Sequence, residues 1–471
     1  MTNQSPRPKK IAVIGGGISG LAAAYRLIEL DDLLQVTLFE ASERVGGVLR
    51  TEQRDGFLVE HSADMFTTKD PWALDLCRRI GFEDQLIETN LEHRKAFIVH
   101  RGKLVDVPAG FSLMSPSRVW PILTTPLLSW QGKLRLGCEY FTKRRQDERD
   151  ESLASFSRRR MGREVYERII QPVVGGIYTA DPEKLSMTAT MPQFVQMERE
   201  YGSMIRGMKK ADRENNARRA ASGARYGLFL APRNGMSSFV QAIVRRLPEG
   251  CIQLNSQVEK LNRSGQRWQL SISGQQIDFD AVIIATHAGR AAPIVESTSA
   301  ELSGDLASIV HAGAAVVVLG FRRSQVEHPL NGFGFVVPLV EQRNILACSF
   351  SSVKFDGRAP DDSVLMRVFV GGACQSELAE LPDHKLLPLV QQELEQLLGA
   401  KGDPMFSEII RWRQTMPQYH VGHLELVERI EQRVEQLPYL ALAGNAYRGV
   451  GIPFCIKSGE QAAERILKQH E

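Results

Sequence analysis

A glycine-rich turn between an apolar strand and a helix constrains this chain more than any other feature of its sequence. Residues 10–14 read as a short buried strand, and residues 21–30 have a helix-forming composition. Between them stands the motif G-x-G-x-x-G, with its glycines at Gly15, Gly17 and Gly20. The first glycine permits the tight turn, the second lets backbone approach a pyrophosphate, and the third allows close packing of helix on strand. The motif predicts a dinucleotide-binding βαβ unit whose free helical N–H groups favour phosphate.

A second predicted strand, residues 35–39, ends at an acidic residue. Glu40 lies 20 residues beyond Gly20, where a carboxylate can accept hydrogen bonds from an adenosine ribose. It also disfavours NADP, because the 2′-phosphate would meet a negative charge. The pattern of strand, helix, strand and acid predicts dinucleotide binding but does not separate NAD from FAD.

The residues after the second strand are similar to a flavoprotein motif. Residues 40–47, EASERVGG, resemble the E-A-x-x-R-x-G-G stretch of the amine oxidase and phytoene desaturase superfamily. Arg44 can neutralise pyrophosphate charge, and Gly46 and Gly47 let backbone pass beside the cofactor. The resemblance implies that the dinucleotide is FAD. The alternative for Arg44 is a solvated loop arginine.

The length of the chain favours two or three domains. Its 471 residues exceed what one hydrophobic core usually organises, and its apolar fraction of 43% and charged fraction of 24% are typical of globular proteins. A net charge of +3 argues neither for nor against an anionic partner, and we expect no nucleic acid to bind. The 6 cysteines are scattered without zinc-ligand spacing, so we expect a reducing compartment and no metal.

Distant segments resemble the remaining parts of a flavoprotein cofactor domain. Residues 276–285 look like a strand that returns to this domain, and residues 437–444 like a strand that ends in a glycine turn. A loop at residues 449–453 and a helix at residues 456–466 follow, and in the superfamily this loop and helix start meet the flavin ring. Many relatives carry an acid directly after the glycine of the turn, whereas this chain has Asn445.

Several stretches resemble one branch of the superfamily, the oxygen-dependent protoporphyrinogen and coproporphyrinogen III oxidases. They are residues 15–24, 163–172, 175–186, 329–334 and 416–423. This branch also lacks the acid that Asn445 replaces. One departure lies at residues 60–64, EHSAD, where the family more often has a Gly-Pro pair.

This resemblance implies an FAD-dependent, oxygen-consuming oxidation of a porphyrinogen in haem biosynthesis. The expected reaction removes six electrons from protoporphyrinogen IX, yielding protoporphyrin IX and H2O2. Because the flavin accepts hydride, we predict no catalytic side chain. Alternatives are conversion of coproporphyrinogen III to coproporphyrin III, or a flavin amine oxidase or carotenoid desaturase activity. A non-enzymatic tetrapyrrole carrier with a flavin fold is a rival of another class.

The predicted fold class is α/β. It comprises a Rossmann-like FAD-binding domain of the p-hydroxybenzoate hydroxylase and amine oxidase type, an α+β substrate-binding domain and a helical membrane-contacting domain. The FAD-binding domain is assigned to three segments, residues 1–65, 226–298 and 412–471. The substrate-binding domain takes residues 66–107 and 299–411. The helical domain takes residues 108–225, where apolar residues recur at helical spacing.

The candidate cofactor-binding residues come from the glycine-rich turn, the EASERVGG stretch, the loop after residue 60 and the C-terminal segment. They are Gly15, Gly16, Gly17, Ile18, Ser19, Gly20, Glu40, Ala41, Arg44, Gly47, Val48, His61, Ser62, Ala63, Asp64, Val258, Trp412, Ala443, Gly444, Val450, Gly451 and Ile452. Val258 matches a family position whose backbone meets the adenine. Trp412 matches one that approaches the flavin, with an ordinary buried tryptophan as the alternative. The resemblance implies non-covalent FAD, although Cys455 lies close to the flavin loop.

The candidate substrate-binding residues are chosen to suit an apolar disc with propionates on its rim. They are Lys95, Gly176, Ile177, Tyr178, Phe333 and Phe335. The two phenylalanines can form an aromatic wall, or they can be core residues at a strand edge. Tyr178 can donate a hydrogen bond at the rim or pack in the core. Lys95 can pair with a propionate or remain a solvated surface charge.

The middle of the chain has features of a membrane surface. Residues 115–130 hold 3 prolines and 2 tryptophans, and residues 206–225 carry 7 basic and 2 acidic residues. Tryptophan favours the membrane–water boundary, and basic side chains favour anionic headgroups. No segment reaches the roughly 20 apolar residues of a span. The family resemblance implies that this helical region contacts a membrane, so we expect a cytoplasmic protein held peripherally on the inner face of the cell membrane. The alternative is a helical cap in solution.

The resemblance also suggests which molecules the protein meets. The small-molecule partners are the porphyrinogen and O2. The candidate protein partners are a second copy of the chain, in a homodimer, and ferrochelatase, in a transient contact.

Overall fold

Two large sheets and a group of short helices make up most of the protein. The computed structural model describes residues 9–112, 114–116, 120–147, 149–210 and 228–469. The basic segment 206–225 lies outside these residues from position 211 onward, as do residues 117–119 of the segment 115–130.

A parallel sheet carries the glycine-rich turn. Its strands, in spatial order, are Ile252–Gln253, Gln35–Phe39, Lys10–Ile14, Ala281–Ile284 and Leu440–Leu442. Residues 11–14 of the central strand are a continuous buried apolar run because both faces of the strand are covered. Ile11 and Val13 face a core shared with the helices Ile18–Leu30 and Ile452–Lys468. Ala12 and Ile14 face the opposite core.

Residues 276–285 form two strands, so the predicted extent of the returning strand is wrong, although its second half does join the parallel sheet. Gln275–Phe279 closes an antiparallel meander, and Ala281–Ile284 joins the parallel sheet beside the central strand. Asp280 separates them: its N–H donates to Lys10 O at 2.8 Å, and its carboxylate accepts from Lys10 N at 2.8 Å. The chain therefore passes from one sheet to the other within a single residue.

A seven-stranded sheet forms the second layer. Its strands, in spatial order, are Phe406–Pro417, His311–Arg322, Ser363–Gly371, Ala347–Phe350, Gly334–Val336, Phe97–His100 and Lys103–Asp106. One face packs against the helix Asp383–Leu398. On the other face, Ile98 and Val336 pack into the core of the helical region.

The helical region is built from short segments. They are Trp120–Thr124, Trp130–Gly137, Leu153–Met161, Arg163–Val165, a π-turn at Tyr166–Ile170, Gln171–Tyr178, Met187–Thr190 and Pro192–Tyr201. Phe156, Ile169 and Met187 belong to its buried core. None of the helices in the described ranges combines the length and the apolar character that crossing a membrane requires.

Smaller elements connect these layers. The remaining strands are Thr51–Arg54, Phe57–Glu60, Phe66–Thr67, Leu86–Glu88, Phe111–Ser112, Ser115–Pro116, Phe229–Pro232, Val258–Ser264 and Arg267–Ile272. The remaining α-helices are Trp72–Arg79, Met236–Val244, Ala288–Val295, Ala300–Ala307, Ser351–Lys354, Ser376–Ala379 and His423–Glu435.

Candidate functional site

The glycine-rich turn lies at the carboxyl end of the central parallel strand, where ligands of open α/β sheets bind. Gly15 has a φ of +107°, and its N–H donates to Phe39 O at 2.8 Å. A Cβ on Gly20 would lie 1.9 Å from Gly15 O. Glycine is therefore required at both positions, for the turn conformation at one and for the close packing of helix on turn at the other.

An open cradle stands beside this turn. A Cβ on Gly17 would meet no atom within 4 Å, and Gly47 passes at its edge with a φ of +58°. In the described ranges no side chain caps the helix Ile18–Leu30, so its first N–H groups and its positive dipole end remain available. The open volume at Gly17, the free N–H donors and the positive end of the helix dipole together fit a pyrophosphate. This is the group that the motif predicts for a bound dinucleotide.

Glu40 shapes the turn and borders the predicted ribose position. Its Oε2 accepts from Gly16 N at 2.7 Å, and its Oε1 accepts from Ser42 N at 2.8 Å and from Ser42 Oγ at 2.7 Å. The N–H of Ser256 donates to Glu40 O at 2.9 Å, which brings the segment leading to Val258 beside the same acid. A carboxylate has about four lone-pair positions, so a ribose hydroxyl can still be accepted.

Arg44 contacts backbone carbonyls of its own loop and is half-buried. Its guanidinium donates to Val45 O at 3.1 Å, to Leu49 O at 3.2 Å and to Gly47 O at 2.7 Å. Burial, followed by repulsion from Arg50, lowers the pKa of Arg44 from its usual value. The side chain therefore fixes the loop that borders the cradle and places a cation there, so the reading as a freely solvated arginine does not describe it.

The loop at residues 61–64 is tied to two other candidate residues. Ser62 Oγ donates to Val48 O at 2.6 Å, and Trp412 Nε1 donates to His61 O at 2.7 Å. Ala63, the next residue after Ser62, is exposed. The structure thus brings Val48, His61, Ser62 and Trp412 together, although Trp412 is 351 residues from His61 in the chain.

Asp64 anchors this loop through a buried ion network. Lys354 Nζ lies 2.9 and 3.1 Å from its two carboxylate oxygens, and Arg367 Nη1 lies 3.3 Å from Oδ2. Arg367 also donates to Ser62 O. Burial opposes ionisation of Asp64, but Lys354 and Arg367 together hold its pKa below the usual range. Sequence reasoning missed both cations, because residues so distant in the chain leave no local signal.

The C-terminal candidate loop is held by a tyrosine that sequence reasoning did not single out. Tyr419 Oη donates to Asn445 O at 2.6 Å and accepts from Gly449 N at 2.7 Å. His423 stacks on the Tyr419 ring at a centroid distance of 4.0 Å, and its Nε2 lies 2.9 Å from Tyr447 O. His423 is the first residue of the helix His423–Glu435.

The C-terminal helix brings this loop to the glycine-rich turn. Gly444 N donates to Ser458 Oγ at 3.0 Å. A Cβ on Gly459 would lie 2.1 Å from Ser19 O, so the helices Ile18–Leu30 and Ile452–Lys468 pack in direct backbone contact. The other C-terminal candidates lie beside this contact: Ala443 before the glycine turn, and Val450, Gly451 and Ile452 at the start of the helix.

Three of the substrate candidates lie on the helix Gln171–Tyr178, where the helical region meets the seven-stranded sheet. A Cβ on Gly176 would lie 3.4 Å from Val336 Cγ1. Tyr178 donates from Oη to Thr190 O at 3.3 Å and packs against the same core as Val450 of the C-terminal loop. Burial raises the pKa of Tyr178. Ile177 continues the same helix between them.

The other three substrate candidates lie elsewhere on the sheet. Phe335 is 2% exposed and packs edge-on against Phe350 at 6.0 Å, in the core under the helix Asp383–Leu398. Strand alternation turns Val336 toward the helical region and Phe335 away from it, so the core reading is the correct one for Phe335. Phe333 is half-buried, and its N–H donates to Lys95 O at 2.8 Å.

Lys95 lies at the surface. Its side chain is 40% exposed, and its Nζ is 3.3 Å from Asp106 Oδ1 and 5.0 Å from the centre of the Phe97 ring. This matches the alternative of a solvated charge. The structure therefore does not place Lys95 beside Gly176 and Tyr178.

Comparison with known proteins adds the family. The family described as flavin containing amine oxidoreductase matches residues 18–467. The chain is 32% identical to the coproporphyrinogen III oxidase of Staphylococcus aureus over 98% of its own length and 99% of the relative's. It is 31% identical to protoporphyrinogen oxidase 2, chloroplastic/mitochondrial, of Arabidopsis thaliana, covering 98% and 94%. A solved structure from Exiguobacterium sp. 255-15, provisionally described as a protoporphyrinogen oxidase, superposes with a TM-score of 0.87 at 30% identity, covering 98% and 99%.

Proposed function

Because the chain belongs to the family of flavin-containing amine oxidoreductases, we propose that it is an FAD-dependent oxidase that converts a porphyrinogen to a porphyrin in haem biosynthesis. The observation that carries this proposal is the end-to-end similarity to proteins named as porphyrinogen oxidases. Those relatives match the helical region and the seven-stranded sheet as well as the cofactor cradle. If this chain shared only cofactor binding with these relatives, the similarity would be confined to the segments that form the cradle.

The chain's own residues serve to bind and orient the flavin. Bound FAD supplies a ring that accepts hydride and passes electrons to O2. The cradle at Gly17 receives the pyrophosphate, Glu40 faces the ribose, and the loop latched by Tyr419 closes the far side of the site. Burial raises the pKa of Cys455 to about 11, which disfavours the reactive thiolate at neutral pH. This supports non-covalent binding.

The substrate is proposed to lie at the junction of the helical region and the seven-stranded sheet. Tyr178, Gly176 and Val336 meet there, and Val450 of the C-terminal loop packs on the same core. An apolar macrocycle needs such surfaces on its faces. Sequence analysis favoured protoporphyrinogen IX, whereas the name of the Staphylococcus aureus relative favours coproporphyrinogen III.

A turnover assay with both substrates tests the proposal. The purified yellow protein is mixed with air-saturated coproporphyrinogen III or protoporphyrinogen IX, and porphyrin fluorescence and H2O2 are followed. We expect catalytic turnover of at least one porphyrinogen, and the ratio of the two kcat/KM values identifies the physiological one. No fluorescence above the rate of spontaneous oxidation with either substrate would contradict the proposal.

Two controls separate the rival functions. A panel of primary amines under the same conditions tests for an amine oxidase, which would produce H2O2 without porphyrin. Anaerobic addition of porphyrinogen should bleach the flavin absorbance, and air should restore it. A tetrapyrrole carrier would bind the substrate and leave the flavin oxidised.

We further propose that the helical region rests on a membrane surface. Trp120, Trp130, Leu134 and Phe141 are 74%, 70%, 71% and 81% exposed, an unusual degree for such large apolar side chains. Lys133 lies 4.8 Å from the Trp130 ring centre and adds a positive charge. Aromatic and basic side chains together suit the interface of an anionic bilayer.

A further inference from the structure

Three side chains converge at the start of the loop at residues 61–64, two of them from strands and one from the loop itself. Glu52 lies on the strand Thr51–Arg54, His61 directly follows the paired strand Phe57–Glu60, and Glu408 lies on Phe406–Pro417. His61 Nε2 is 3.5 Å from Glu52 Oε2 and 3.6 Å from Glu408 Oε1. One ligand atom from each of the three side chains lies within 4.8 Å of the others.

These separations match the edges of a metal coordination shell. In a tetrahedral zinc site with bonds of about 2.0–2.1 Å, neighbouring ligand atoms stand about 3.4 Å apart. Direct hydrogen bonds from a ring nitrogen to a carboxylate are shorter, about 2.7–3.2 Å. His61 Nε2 is therefore too far from both carboxylates for good hydrogen bonds, and its two distances are close to the separation of neighbouring metal ligands.

The histidine supplies an independent indication of a missing ligand. The His61 side chain is only 6% exposed, and its Nε2 is buried without a hydrogen-bond partner in the described structure. This nitrogen is aimed at the two carboxylates. Glu408 Oε2 is likewise buried without a partner among the described residues. Buried polar atoms in native proteins are almost always satisfied, by protein, water or an ion.

We propose that Glu52, His61 and Glu408 form a binding site for one divalent transition-metal ion, with Zn²⁺ as the probe. One imidazole and two carboxylates form a mixed nitrogen and oxygen donor set that suits zinc better than magnesium. Water would supply the fourth ligand. The ion would tie the strands of Glu52 and Glu408 to the loop residue His61, whose backbone O accepts a hydrogen bond from Trp412 Nε1 at 2.7 Å. The sequence predicted no metal, because the three ligands are scattered along the chain.

Among the described residues, Arg50 pairs with a proposed ligand and has to move for this site to fill. Arg50 Nη2 lies 3.2 Å from Glu52 Oε2. Its side chain is 48% exposed, so it can turn toward solvent when a metal ion replaces it. His61 is also a candidate cofactor-binding residue, but its backbone O contacts Trp412, whereas the proposed metal ligand is its side-chain Nε2. Zinc binding is measured without porphyrinogen, so its outcome is distinct from that of the turnover assay.

Metal binding to the purified, flavin-loaded protein tests the proposal. The protein is treated with EDTA, dialysed and titrated with Zn²⁺ by calorimetry, and bound zinc is counted by elemental analysis. We expect a single tight site per chain and a rise in melting temperature on zinc addition. Mg²⁺ at the same concentration should produce neither effect. A native protein that takes up no zinc would overturn the proposal.

Substitutions of the carboxylates locate the site. Glu52→Gln and Glu408→Gln keep side-chain size, so both variants should fold, and each should weaken zinc binding by at least about tenfold. Glu380→Gln is the matched control. Glu380 is an exposed glutamate that pairs with Arg413, and Arg413 lies on the same strand as Glu408, Phe406–Pro417. The exposed thiols Cys138 and Cys374 are present in every variant, so zinc bound to them cancels in the comparison. Equal zinc affinity in all four proteins would overturn the assignment.

Discussion

At the scale of single residues, a buried carboxylate holds the loop that borders the cofactor cradle. Replacing Asp64 with Asn leaves Lys354 and Arg367 buried near each other without a countercharge. Breaking a buried ion pair from one side costs about 3–5 kcal/mol of unfolding free energy. We expect Asp64→Asn to lower the urea midpoint strongly and to reduce the flavin content of the purified protein.

An exposed ion pair provides the control for this change. Glu327 pairs with Lys401 at 2.6 Å, but both side chains are about two-thirds exposed. Solvated pairs contribute little to stability. Glu327→Gln should leave the urea unfolding curve in place. Equal destabilisation by the two substitutions would show that the Asp64 network does not have the structural role assigned to it.

A second residue-scale prediction concerns the glycine that closes the turn. Gly20→Ala places a methyl group 1.9 Å from Gly15 O, so either the turn or the first helix must shift. Overpacking of this kind costs about 1–3 kcal/mol and here also deforms the cradle at Gly17. We expect a lower melting temperature and a flavin-to-protein absorbance ratio well below that of the native protein.

The matched control is a glycine with room around it. A Cβ at Gly137, the last residue of the helix Trp130–Gly137, would meet no atom within 4 Å. Alanine has a higher helix propensity than glycine, so Gly137→Ala should be neutral or slightly stabilising and should keep its flavin. Flavin loss in both variants would point to a general sensitivity to substitution instead of the turn geometry.

At the scale of elements, local patterns predicted some strands and failed at one junction. The strands at residues 10–14 and 35–39 were predictable because a continuous apolar run and a glycine turn define them locally. Residues 276–285 were misread as one strand, since the change from alternating polar residues to a buried run occurs at Asp280 with no turn residue such as Gly or Pro. A hydrogen bond to Lys10, far away in the chain, decides that boundary.

The same limit applies to the loops of the candidate site. The glycine-rich turn and the EASERVGG stretch are defined by residues only a few positions apart, so they can be recognised from the sequence. The contacts of Trp412 with His61, of Lys354 with Asp64 and of Tyr419 with Asn445 depend on the packing of distant elements. No spacing rule within a single element reveals such pairs.

The latch on the C-terminal loop yields an element-scale prediction. Tyr419→Phe keeps the stacking on His423 but leaves Asn445 O and Gly449 N without their hydrogen-bond partner. Both groups are half-buried, so losing the hydrogen bonds costs less than the roughly 1–3 kcal/mol of a fully buried unsatisfied group and loosens the loop more than the whole fold. We expect faster flavin release and faster amide hydrogen exchange at residues 445–451, with little change in the melting temperature.

A neighbouring tyrosine gives a control with the same chemical change. The hydroxyl of Tyr447 is buried and has no hydrogen-bond partner within the described ranges. Tyr447→Phe removes an unsatisfied polar atom, so it should be neutral or stabilising and should leave flavin release unchanged. If the two phenylalanine variants release flavin at the same rate, the hydrogen bonds of Tyr419 are not what holds the loop.

At the scale of the whole molecule, the cofactor cradle is assembled from the start, the middle and the end of the chain. The parallel sheet takes strands from as far apart as Lys10–Ile14 and Leu440–Leu442. The predicted α/β fold of the amine oxidase type is confirmed by the family match and by the superposition on the Exiguobacterium structure. The βαβ motif alone predicts dinucleotide binding. The proposed substrate class depends on the similarity to porphyrinogen oxidases, which also covers the seven-stranded sheet and the helical region.

The proposed membrane face is a property of the whole molecule and can be tested as one. We expect the protein to sediment with vesicles of mixed phosphatidylcholine and phosphatidylserine, and to be released in part by high salt, which screens the basic side chains. Burying one large apolar side chain stabilises binding by about 1.5–3 kcal/mol. The double variant Trp130→Ser, Leu134→Ser should therefore lower the vesicle partition coefficient by at least about tenfold.

An exposed apolar residue away from this face provides the control for the double variant. Leu33 is 72% exposed, as much as Leu134, but it lies in the turn before the strand Gln35–Phe39 of the parallel sheet. If vesicle binding depended only on the amount of exposed apolar surface, Leu33→Ser would lower the partition coefficient about as much as Leu134→Ser does. We expect Leu33→Ser to sediment like the native protein, because only a face that combines tryptophan, leucine and lysine can seat on the headgroups. Vesicle binding that is unchanged in the double variant would remove the helical region as the membrane-contacting surface.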